Sequence, residues 1–307
     1  MQSKSSRIAV IDIGTNTCIL LIAEKIDGKI IKLYESTEFP RLGEGVDESK
    51  EISFQALQRL IKTLKEFTNI ARSYEADRIY AFATSALRDA SNKKYIISQV
   101  ASKTDITIKL IDGITEAKFG FYGALYDFEG AEESEQFTVL DIGGGSTENS
   151  FINDALFLCK SIDVGSVRIK EKFFKDGIND VTLTNAKEFI NNKFLEINFL
   201  NIEDKKLVGI AGTVTSLSAL NQGLKEFDET KVHKSILSVN DVDILFNRLS
   251  RLTDEEILNL GSYMKGRNDI ITSGALILLE FMKYFNFDEI IVSTKGVRYG
   301  VFLFLSK

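Results

Sequence analysis

Residues suited to chemistry are concentrated in one stretch, where the pattern of a buried strand runs into a glycine-rich turn. The apolar run before Asp141 predicts a buried strand, and Gly143, Gly144 and Gly145 follow closely after it. Glycines lack a Cβ, so they let backbone amides close on a ligand, and they permit positive φ in a tight turn. Successive N–H groups in such a turn form a concave nest for an anion. The alternative is a glycine hairpin that carries a surface aspartate.

Polar side chains on either side of these glycines support the first interpretation. Ser146 and Thr147 add hydroxyl donors for a phosphate, and Glu148 is a second carboxylate. Asp141, at the strand end, cannot bind phosphate itself, but it can hold a hydrated Mg²⁺ beside one. The stretch therefore indicates a place where a phosphate and a divalent cation meet.

A second turn of the same kind occurs earlier in the chain. An apolar run ends at Asp12, and Gly14 follows after one isoleucine. The next residues are small and polar: Thr15, Asn16 and Thr17. Asp12 and Asp141 are 129 residues apart, as are Gly14 and Gly143, so the two turns share a register across an internal repeat. Neither turn continues as a Rossmann or Walker motif. The repeat predicts two facing domains with a polyanion between them.

The composition limits the classes of protein that fit. A chain of 307 residues is long enough for two domains, and 44% hydrophobic with 27% charged residues is typical of a soluble globular protein. The net charge of −6 argues against a general nucleic-acid binder, so an anionic ligand needs a locally positive cleft. His233 is the only histidine, which excludes histidine-dependent hydrolysis and multi-histidine metal sites.

Two further features concern redox chemistry and compartment. Cys18 and Cys159 stand alone in apolar segments, which favours core packing over a disulfide or a metal site. The apolar segment 8–22 contains Asp12, Asn16 and the first glycine turn, so it is neither a signal peptide nor a membrane span. We therefore expect a cytoplasmic protein that does not bind a membrane.

The elements that must position these residues follow the same order in both halves. In the first half we predict strands 8–12, 17–23 and 30–34, helix 54–71, strand 78–84, helix 94–102, strand 106–111 and a helix that opens at 112–117. In the second half we predict strands 137–140, 147–152 and 156–162 with a turn at 153–154, helical sequence around 172–174, helix 185–199, strand 206–210, helix 270–285, strand 288–292 and helix 297–305.

This order is the layout of a duplicated actin-like, ribonuclease H-like α/β fold, with two domains around a central phosphate-binding cleft. We expect an N-terminal domain over 1–127 and a C-terminal domain over 128–295. The closing helix, about 296–307, is expected to pack back onto the first domain.

Two charged residues and a third turn lie where α/β folds place ligand contacts. Arg88 follows a predicted strand and suits a fork-shaped phosphate clamp, with a solvated loop charge as the alternative. Glu116 falls in the first turn of a predicted helix, where the helix dipole alone would favour a carboxylate. The turn at 211–216 contains Gly212 and Thr213, and a backbone turn with helix-capping hydroxyls is the alternative there.

Several sequence blocks, taken in order, carry a resemblance to a known family. They are 12–17, 41–45, 84–88, 113–117, 141–148, 164–168 and 211–213. With these blocks the chain resembles the exopolyphosphatase / guanosine pentaphosphate phosphohydrolase (Ppx/GppA) phosphatase family, from residue 8 to about 301. The resemblance is to the short, two-domain form of the family, which has the actin-like fold.

The resemblance implies roles for the candidate residues. Glu116 would be the general base, Asp141 and Glu148 would support Mg²⁺ and the attacking water, and Asp12 would be a further carboxylate on the metal side. Arg88 would act at the catalytic centre and line the phosphate path. The other residues implied along that path are Gly14, Thr15, Asn16, Thr17, Gly143, Gly144, Gly145, Ser146, Thr147, Arg168, Gly212, Thr213, Arg267 and Arg298.

Two features depart from the family pattern. The family usually has a second glutamate just before the catalytic one, where this chain has Thr115, so the local electrostatics are expected to differ. The chain also ends near the close of the two-domain core, without the histidine-rich helical extension of the long members. That extension is associated with long polyphosphate chains, so the preferred chain length stays open.

The resemblance implies a Mg²⁺-dependent phosphoanhydride hydrolase that releases terminal phosphate from inorganic polyphosphate. Hydrolysis of guanosine pentaphosphate (pppGpp) by the same chemistry is the alternative. Two other classes stay open: an ATPase or kinase of the same fold, and a non-catalytic alarmone sensor. A sensor needs no general base, so the carboxylates argue for an enzyme. The oligomeric state is open, with a homodimer as one alternative.

Overall fold

Two α/β halves make up the fold, and each is built on one mixed sheet. The computed structural model describes residues 6–197, 202 and 204–306. The strands of the first sheet are β1 (Arg7–Ile13), β2 (Cys18–Ile26), β3 (Lys29–Glu38), β4 (Arg78–Ala83) and β5 (Ile108–Leu110). Those of the second sheet are β6 (Phe137–Ile142), β7 (Thr147–Asn153), β8 (Leu156–Ile162), β9 (Lys206–Ile210), β10 (Ile236–Ser238) and β11 (Glu289–Val292).

Helices connect and cover the strands. In the first half they are α1 (Val46–Ser49), α2 (Phe54–Ser73), α3 (Ser85–Asp89), α4 (Lys93–Thr104) and α5 (Gly113–Ala124). In the second half they are α6 (Ser166–Phe173), α7 (Asp180–Phe194), α8 (Ala211–Asn221), α9 (Glu229–Val232), α10 (Val239–Leu249), α11 (Asp254–Leu258), α12 (Ile271–Tyr284) and α13 (Val297–Leu305). None of the helices within the described residues has the length and apolar character that a membrane span requires.

The two sheets have the same strand order, which demonstrates the internal duplication. The first sheet runs β3-β2-β1-β4-β5, and the second runs β8-β7-β6-β9-β11 with β10 added at its edge. In each sheet the first three strands are antiparallel, and the fourth is parallel to the first. This is the predicted duplicated actin-like fold. It brings the carboxyl ends of β1 and β6 to one cleft.

Burial explains why the central strands form where they do. Strand β1 reads as a nearly continuous apolar run, and Ala9, Val10 and Ile11 are fully buried between helices on both faces. Helix α2 begins where the Ser53 side chain accepts a hydrogen bond from the Ala56 N–H, and its apolar stripe covers the first sheet. The second half has its own, larger core around α12.

Helices α5 and α13 each pack on the sheet of the opposite half. Phe121 and Leu125, at the end of α5, pack against Val139 and Val208 of the second sheet. Tyr299 and other residues of α13 pack back onto β1 and β2 of the first sheet. The predicted domain boundary at 127/128 falls between α5 and a 3₁₀ helix at 131–136. Residues 1–5 of the predicted first domain, and residue 307 of the closing helix, lie outside the described residues.

Helices α5 and α13 cross so closely that their backbones are in contact. Only glycine allows this approach. A Cβ at Gly123 would lie 2.1 Å from the carbonyl oxygen of Gly296. A Cβ at Gly300 would lie 1.9 Å from the carbonyl oxygen of Phe119. Because both obstacles are backbone atoms, no side-chain movement could relieve the contact.

Several local predictions differ from the structure at element ends. The β7–β8 turn is at Asp154 and Ala155, both with positive φ, one residue later than predicted. Helix α7 begins at Asp180, because a capping box on Asn179 starts it earlier than the predicted 185, and it ends at Phe194. Residues 198 and 199 of that predicted helix lie outside the described residues. The short helices α1, α3 and α9 were not predicted, and neither were β10 and α10.

Candidate active site

The two glycine turns have the same hydrogen-bonded geometry. Gly14 N–H donates to the Thr17 carbonyl oxygen at 2.9 Å, and Gly143 N–H donates to the Ser146 carbonyl oxygen at 3.0 Å. Each turn joins the first two antiparallel strands of its sheet. The 129-residue repeat of the sequence is thus a repeat of two β-hairpins.

The glycines of the second turn are needed for close approach rather than for positive φ, which corrects one part of the prediction. None of Gly143, Gly144 and Gly145 has a φ in the left-handed region. A Cβ at Gly144 would lie 2.9 Å from the Cβ of Thr15, and one at Gly145 would lie 2.7 Å from the Ser85 Oγ. The two halves therefore meet turn against turn, and side chains on these glycines would push them apart.

The carboxylates of both turns line one cavity of about 140 Å³ between the halves. Asp12 and Asp141 reach it from β1 and β6, and Glu116 reaches it from the start of α5. Burial raises the pKa of Asp12 to about 6, although the positive charge of Arg298 opposes the rise. Burial, together with the charges of Glu148 and Asp12, raises the pKa of Asp141 well above its ordinary value.

Glu116 is a buried carboxylate, not a solvated partner of the helix dipole. Its side chain is nearly inaccessible to solvent, and Arg88 Nη1 donates to its Oε2 at 3.2 Å. Asp112 caps the helix instead, since its side chain accepts from the Thr115 N–H at 2.7 Å. Burial raises the pKa of Glu116 well above its ordinary value, and the neighbouring carboxylates add to this, while Arg88 opposes it.

Glu148 lies behind the cavity surface, in the pair position opposite Asp141 on the neighbouring strand. Its side chain is buried, and Ser161 Oγ donates to its Oε1 at 2.6 Å. Burial raises the pKa of Glu148, while hydrogen bonds from Ser161 and Ser146 lower it. The negative charge of Glu148 raises the pKa of both Glu116 and Asp141. Asp12, Glu116, Asp141 and Glu148 are therefore electrostatically coupled.

The third predicted turn is the first turn of helix α8. Ile210 precedes the helix without any side-chain cap, so the alternative of helix-capping hydroxyls does not hold. Ala211, Gly212 and Thr213 all line the cavity. The first N–H groups of a helix have no partner within it, and the helix dipole makes that end positive. The turn therefore presents backbone donors to an anion in the cavity.

Arg267 is the arginine best placed to meet an anion. Its Nη1 donates to the Gly212 carbonyl oxygen at 3.1 Å and to the Ser216 Oγ at 2.9 Å. It lies within 4 Å of no carboxylate in residues 6–197, 202 and 204–306. Burial lowers its pKa to about 10, so it stays charged at neutral pH.

The other predicted arginines are held by carboxylates. Arg298 lines the cavity, and its Nη2 donates to Glu35 Oε1 at 2.5 Å, while its buried Nε has no partner among the described residues. Arg168 pairs with Asp47 and donates from Nε to the Gly145 carbonyl oxygen at 3.0 Å. Arg168 lies in an adjoining cleft, outside the central cavity.

The structure brings most, but not all, of the predicted residues into the cavity. Those that line it are Asp12, Gly14, Thr15, Asn16, Thr17, Glu116, Asp141, Gly143, Gly144, Ser146, Gly212, Thr213, Arg267 and Arg298. Those that do not are Arg88, Gly145, Thr147, Glu148 and Arg168. The hydroxyl of Thr147 is buried and donates to the Val164 carbonyl oxygen at 2.6 Å.

Three serines of the site were not predicted: Ser85 and Ser166 line the cavity, and Ser161 bonds to Glu148. Ser85 lines the cavity, and its Oγ is 2.8 Å from the Oγ1 of Thr15, so it joins the first half's strand end to the first turn. Its position directly after β4, at the carboxyl end of a parallel strand, is a signal that could have found it. Ser161 holds Glu148, and nothing in its sequence surroundings indicates that role.

The donor set suits a hydrated cation. Within residues 6–197, 202 and 204–306, no three carboxylate, imidazole or thiol side chains converge closely enough to hold a metal ion directly. Mg²⁺ keeps several waters and is usually bound by one or two carboxylates together with substrate phosphates. Asp12 and Asp141 offer such carboxylates beside the backbone amides of the glycine turns. The residues present therefore fit Mg²⁺ that is bound together with a phosphate.

The fold and the cavity together define a class of protein. Buried carboxylates line the interlobe cavity together with the first turn of α8 and the guanidinium of Arg267, which pairs with no carboxylate among the described residues. Phosphoryl transfer needs this combination of charge neutralisation and a positioned base. The chain is thus a two-lobed, actin-like protein with a phosphoryl-transfer type of site.

Comparison with known sequences identifies the family within that class. The profile described as the Ppx/GppA phosphatase family matches residues 21–306. The chain therefore belongs to the Ppx/GppA phosphatase family, whose members hydrolyse phosphoanhydride bonds. This confirms the family resemblance and, at the level of the family, the prediction of a phosphoanhydride hydrolase.

Individual relatives agree with this assignment. The chain is 35% identical to a bifunctional 3-dehydroquinate synthase/phosphatase of Fusobacterium nucleatum, over 96% of this chain but 46% of that protein. It is 28% identical to exopolyphosphatase 2 of Mycobacterium tuberculosis, over 98% of this chain and 99% of that one. The crystal structure of an exopolyphosphatase from Cytophaga hutchinsonii superposes with a TM-score of 0.85 at 27% identity, covering 98% of both chains.

Proposed function

We propose that this chain hydrolyses the terminal phosphoanhydride bond of inorganic polyphosphate in the presence of Mg²⁺. One observation carries the proposal: a cluster of buried carboxylates shares one cavity between the halves with a buried arginine that pairs with no described carboxylate. The names of the relatives from Mycobacterium tuberculosis and Cytophaga hutchinsonii support polyphosphate as the substrate.

The positive groups that line the cavity would bind the terminal phosphates. Arg267 and the first N–H groups of α8 meet the anion from the second half. The two glycine turns add hydroxyl and amide donors from both halves, including Thr15 and Ser146. Donors fixed in place before the reaction stabilise developing charge without reorganisation.

Glu116 would act as the general base. A carboxylate in this role must come within about 2.6–3.2 Å of the attacking water in the productive complex. Burial and the neighbouring carboxylates make Glu116 more basic than an ordinary glutamate, and Arg88 holds its side chain in place. Glu148, fixed by Ser161, would help to orient the water.

The four carboxylates would repel a polyanion unless positive charge is added. Asp12 and Asp141 would hold Mg²⁺, and Glu148 would support it through water. When bound, Mg²⁺ supplies neutralisation of the phosphate oxygens and polarises the phosphoanhydride bond. The same positive charge favours the ionised, basic form of Glu116.

A substrate panel tests the proposal. Phosphate release is measured in parallel from polyphosphates of several lengths, from guanosine pentaphosphate and from ATP, with Mg²⁺ and with excess chelator. We expect the highest kcat/KM with polyphosphate and loss of release with chelator. A higher kcat/KM with guanosine pentaphosphate would make the alarmone the substrate of the same site. Release from ATP alone would contradict the proposal.

A further inference from the structure

The loop that carries Arg267 is held by the opposite half of the molecule. This loop, residues 266–269, is here named the arginine loop. Asn16 Nδ2 donates to the Gly266 carbonyl oxygen at 2.9 Å. Arg41 binds Asp269 through both amino groups, with Nη1 to Oδ2 at 2.7 Å and Nη2 to Oδ1 at 3.0 Å. A two-pronged contact of this kind fixes orientation as well as distance.

An aromatic ring of the first half completes the contact. Gly266 has a φ of 74°, and a Cβ there would lie 2.2 Å from the Cγ of Phe39. The guanidinium of Arg267 lies over the same ring, 5.5 Å from its centroid. The ring therefore supports the backbone of the loop at Gly266 and the side chain next to it.

Arg41 is itself built into the first glycine turn. Its N–H donates to the Asn16 carbonyl oxygen at 3.1 Å, and the Arg59 side chain donates to its carbonyl oxygen at 3.3 Å. Its φ is 50°, in the left-handed region that a residue other than glycine seldom adopts. Surrounding bonds must hold a residue in such a conformation, and these residues concentrate at functional sites.

From these contacts we propose that Arg41 and Asp269 are positioning residues that set Arg267 in the cavity. Neither of them lines the central cavity, whereas the loop they fix carries the arginine that does. The ion pair connects the first glycine turn of one half to the anion-binding arginine of the other. This inference rests on the proposed function wherever phosphate release is the measurement.

A double-mutant cycle tests whether Arg41 acts through Arg267. We expect Arg41→Gln to lower kcat/KM about tenfold, an order expected for residues coupled by one contact network. In the Arg267→Gln background the same substitution should lower it less than twofold further, because the group being positioned is absent. Fully additive effects would mean that Arg41 acts independently of Arg267.

Reversal of the ion pair separates positioning from direct phosphate binding. Arg41→Asp combined with Asp269→Arg keeps the total length of the pair, and aspartate tolerates the left-handed conformation better than arginine does. If the pair positions the loop, the double variant should recover most of the activity that either single variant loses. The alternative is that Arg41 breaks its pair with Asp269 and binds phosphate directly. Asp269→Asn would then free Arg41 and lower KM, and this result would overturn the inference.

Hydrogen exchange gives a measurement that does not depend on activity. Arg41→Gln should increase amide exchange over residues 266–271. The N–H of Arg267 donates to the Met264 carbonyl oxygen, and the N–H groups of Ile270 and Ile271 donate to the Arg267 carbonyl oxygen. The control is Asp243→Asn, which removes a surface pair with Lys283 at 2.8 Å and does not line the cavity between the halves. This control should leave the exchange over residues 266–271 unchanged. Unchanged exchange in Arg41→Gln would overturn the inference, whereas an inactive native protein would overturn only the proposed function.

Discussion

Four buried carboxylates determine the chemistry at the scale of single residues. Asp12, Glu116, Asp141 and Glu148 come from both halves, and burial raises the pKa of each. Keeping such groups together costs folding free energy whenever they ionise. When these carboxylates ionise in one cavity, they repel one another, and a bound cation would reduce that repulsion.

Asp12 gives a testable consequence for stability. Its pKa is about 6 in the folded protein against an ordinary 3.8, so the folded state binds the proton more tightly than the unfolded state. Its contribution to stability therefore falls as pH rises from about 4 to 6 and stays low above that range. A difference of this size corresponds to roughly 2–3 kcal/mol.

We therefore expect Asp12→Asn to raise the thermal midpoint at pH 8 in buffer without divalent cations, and to change it little at pH 4. Thermal unfolding of both proteins at pH 4, 6 and 8 measures this. A lower midpoint for the variant at pH 8 would mean that the Asp12 charge is compensated within the fold. Added Mg²⁺ should stabilise the native protein more than the variant.

At the scale of elements, the crossing of α5 and α13 joins the halves and supports the site. Helix α5 carries Glu116 in its first turn and packs on the second sheet. Helix α13 carries Arg298 in its first turn and packs on the first sheet. Their backbones touch at Gly123 and Gly300. A change at this crossing should therefore disturb both the fold and the geometry of the cavity.

Gly300→Ala tests the crossing. The added methyl group would meet the Phe119 carbonyl oxygen at 1.9 Å, so the helices must separate, and overpacking of this kind costs at least about 1–3 kcal/mol. Gly120→Ala, on the facing helix, is the matched control, because its methyl group would meet the end of the Ile210 side chain at 3.3 Å, which can move. We expect a clearly lower thermal midpoint for Gly300→Ala than for Gly120→Ala. Equal midpoints would show that the crossing adjusts freely.

Elements that are determined by residues close in sequence could be predicted, whereas contacts between distant residues could not. The strands around the glycine turns and the final helix 297–305 follow from apolar runs and turn residues close in sequence, and the structure has them there. Helix α10 was missed, although Ser238 and Asp241 form a capping box at its start. The pairing of Arg41 with Asp269 joins residues 228 positions apart, and no local pattern indicates it.

At the scale of the whole molecule, the duplication places the site between two similar sheets. The shared register predicted that Asp12 and Asp141 would end equivalent strands, and they line the same cavity. What could not be predicted is which of the arginines have carboxylate partners. Arg168 and Arg298 are taken up by Asp47 and Glu35 of the first half, and such partners are brought together only by folding.

The central claim is that the carboxylate of Glu116 is the base of a phosphoanhydride hydrolase. The most direct measurement is steady-state phosphate release from polyphosphate at saturating Mg²⁺ by Glu116→Gln. Glu280→Gln is the matched control, because Glu280 is also a buried glutamate but pairs with Lys187 and Asn191, away from the cavity.

We expect Glu116→Gln to lose roughly 10²–10⁴-fold in kcat, the usual contribution of a positioned general base, while its thermal midpoint does not fall and polyphosphate binding is retained. Glu280→Gln should keep kcat within about twofold of the native value, because its carboxylate takes no part in the chemistry. Substantial turnover by Glu116→Gln under the same conditions would contradict the account and place the base elsewhere, with Glu148 as the next candidate.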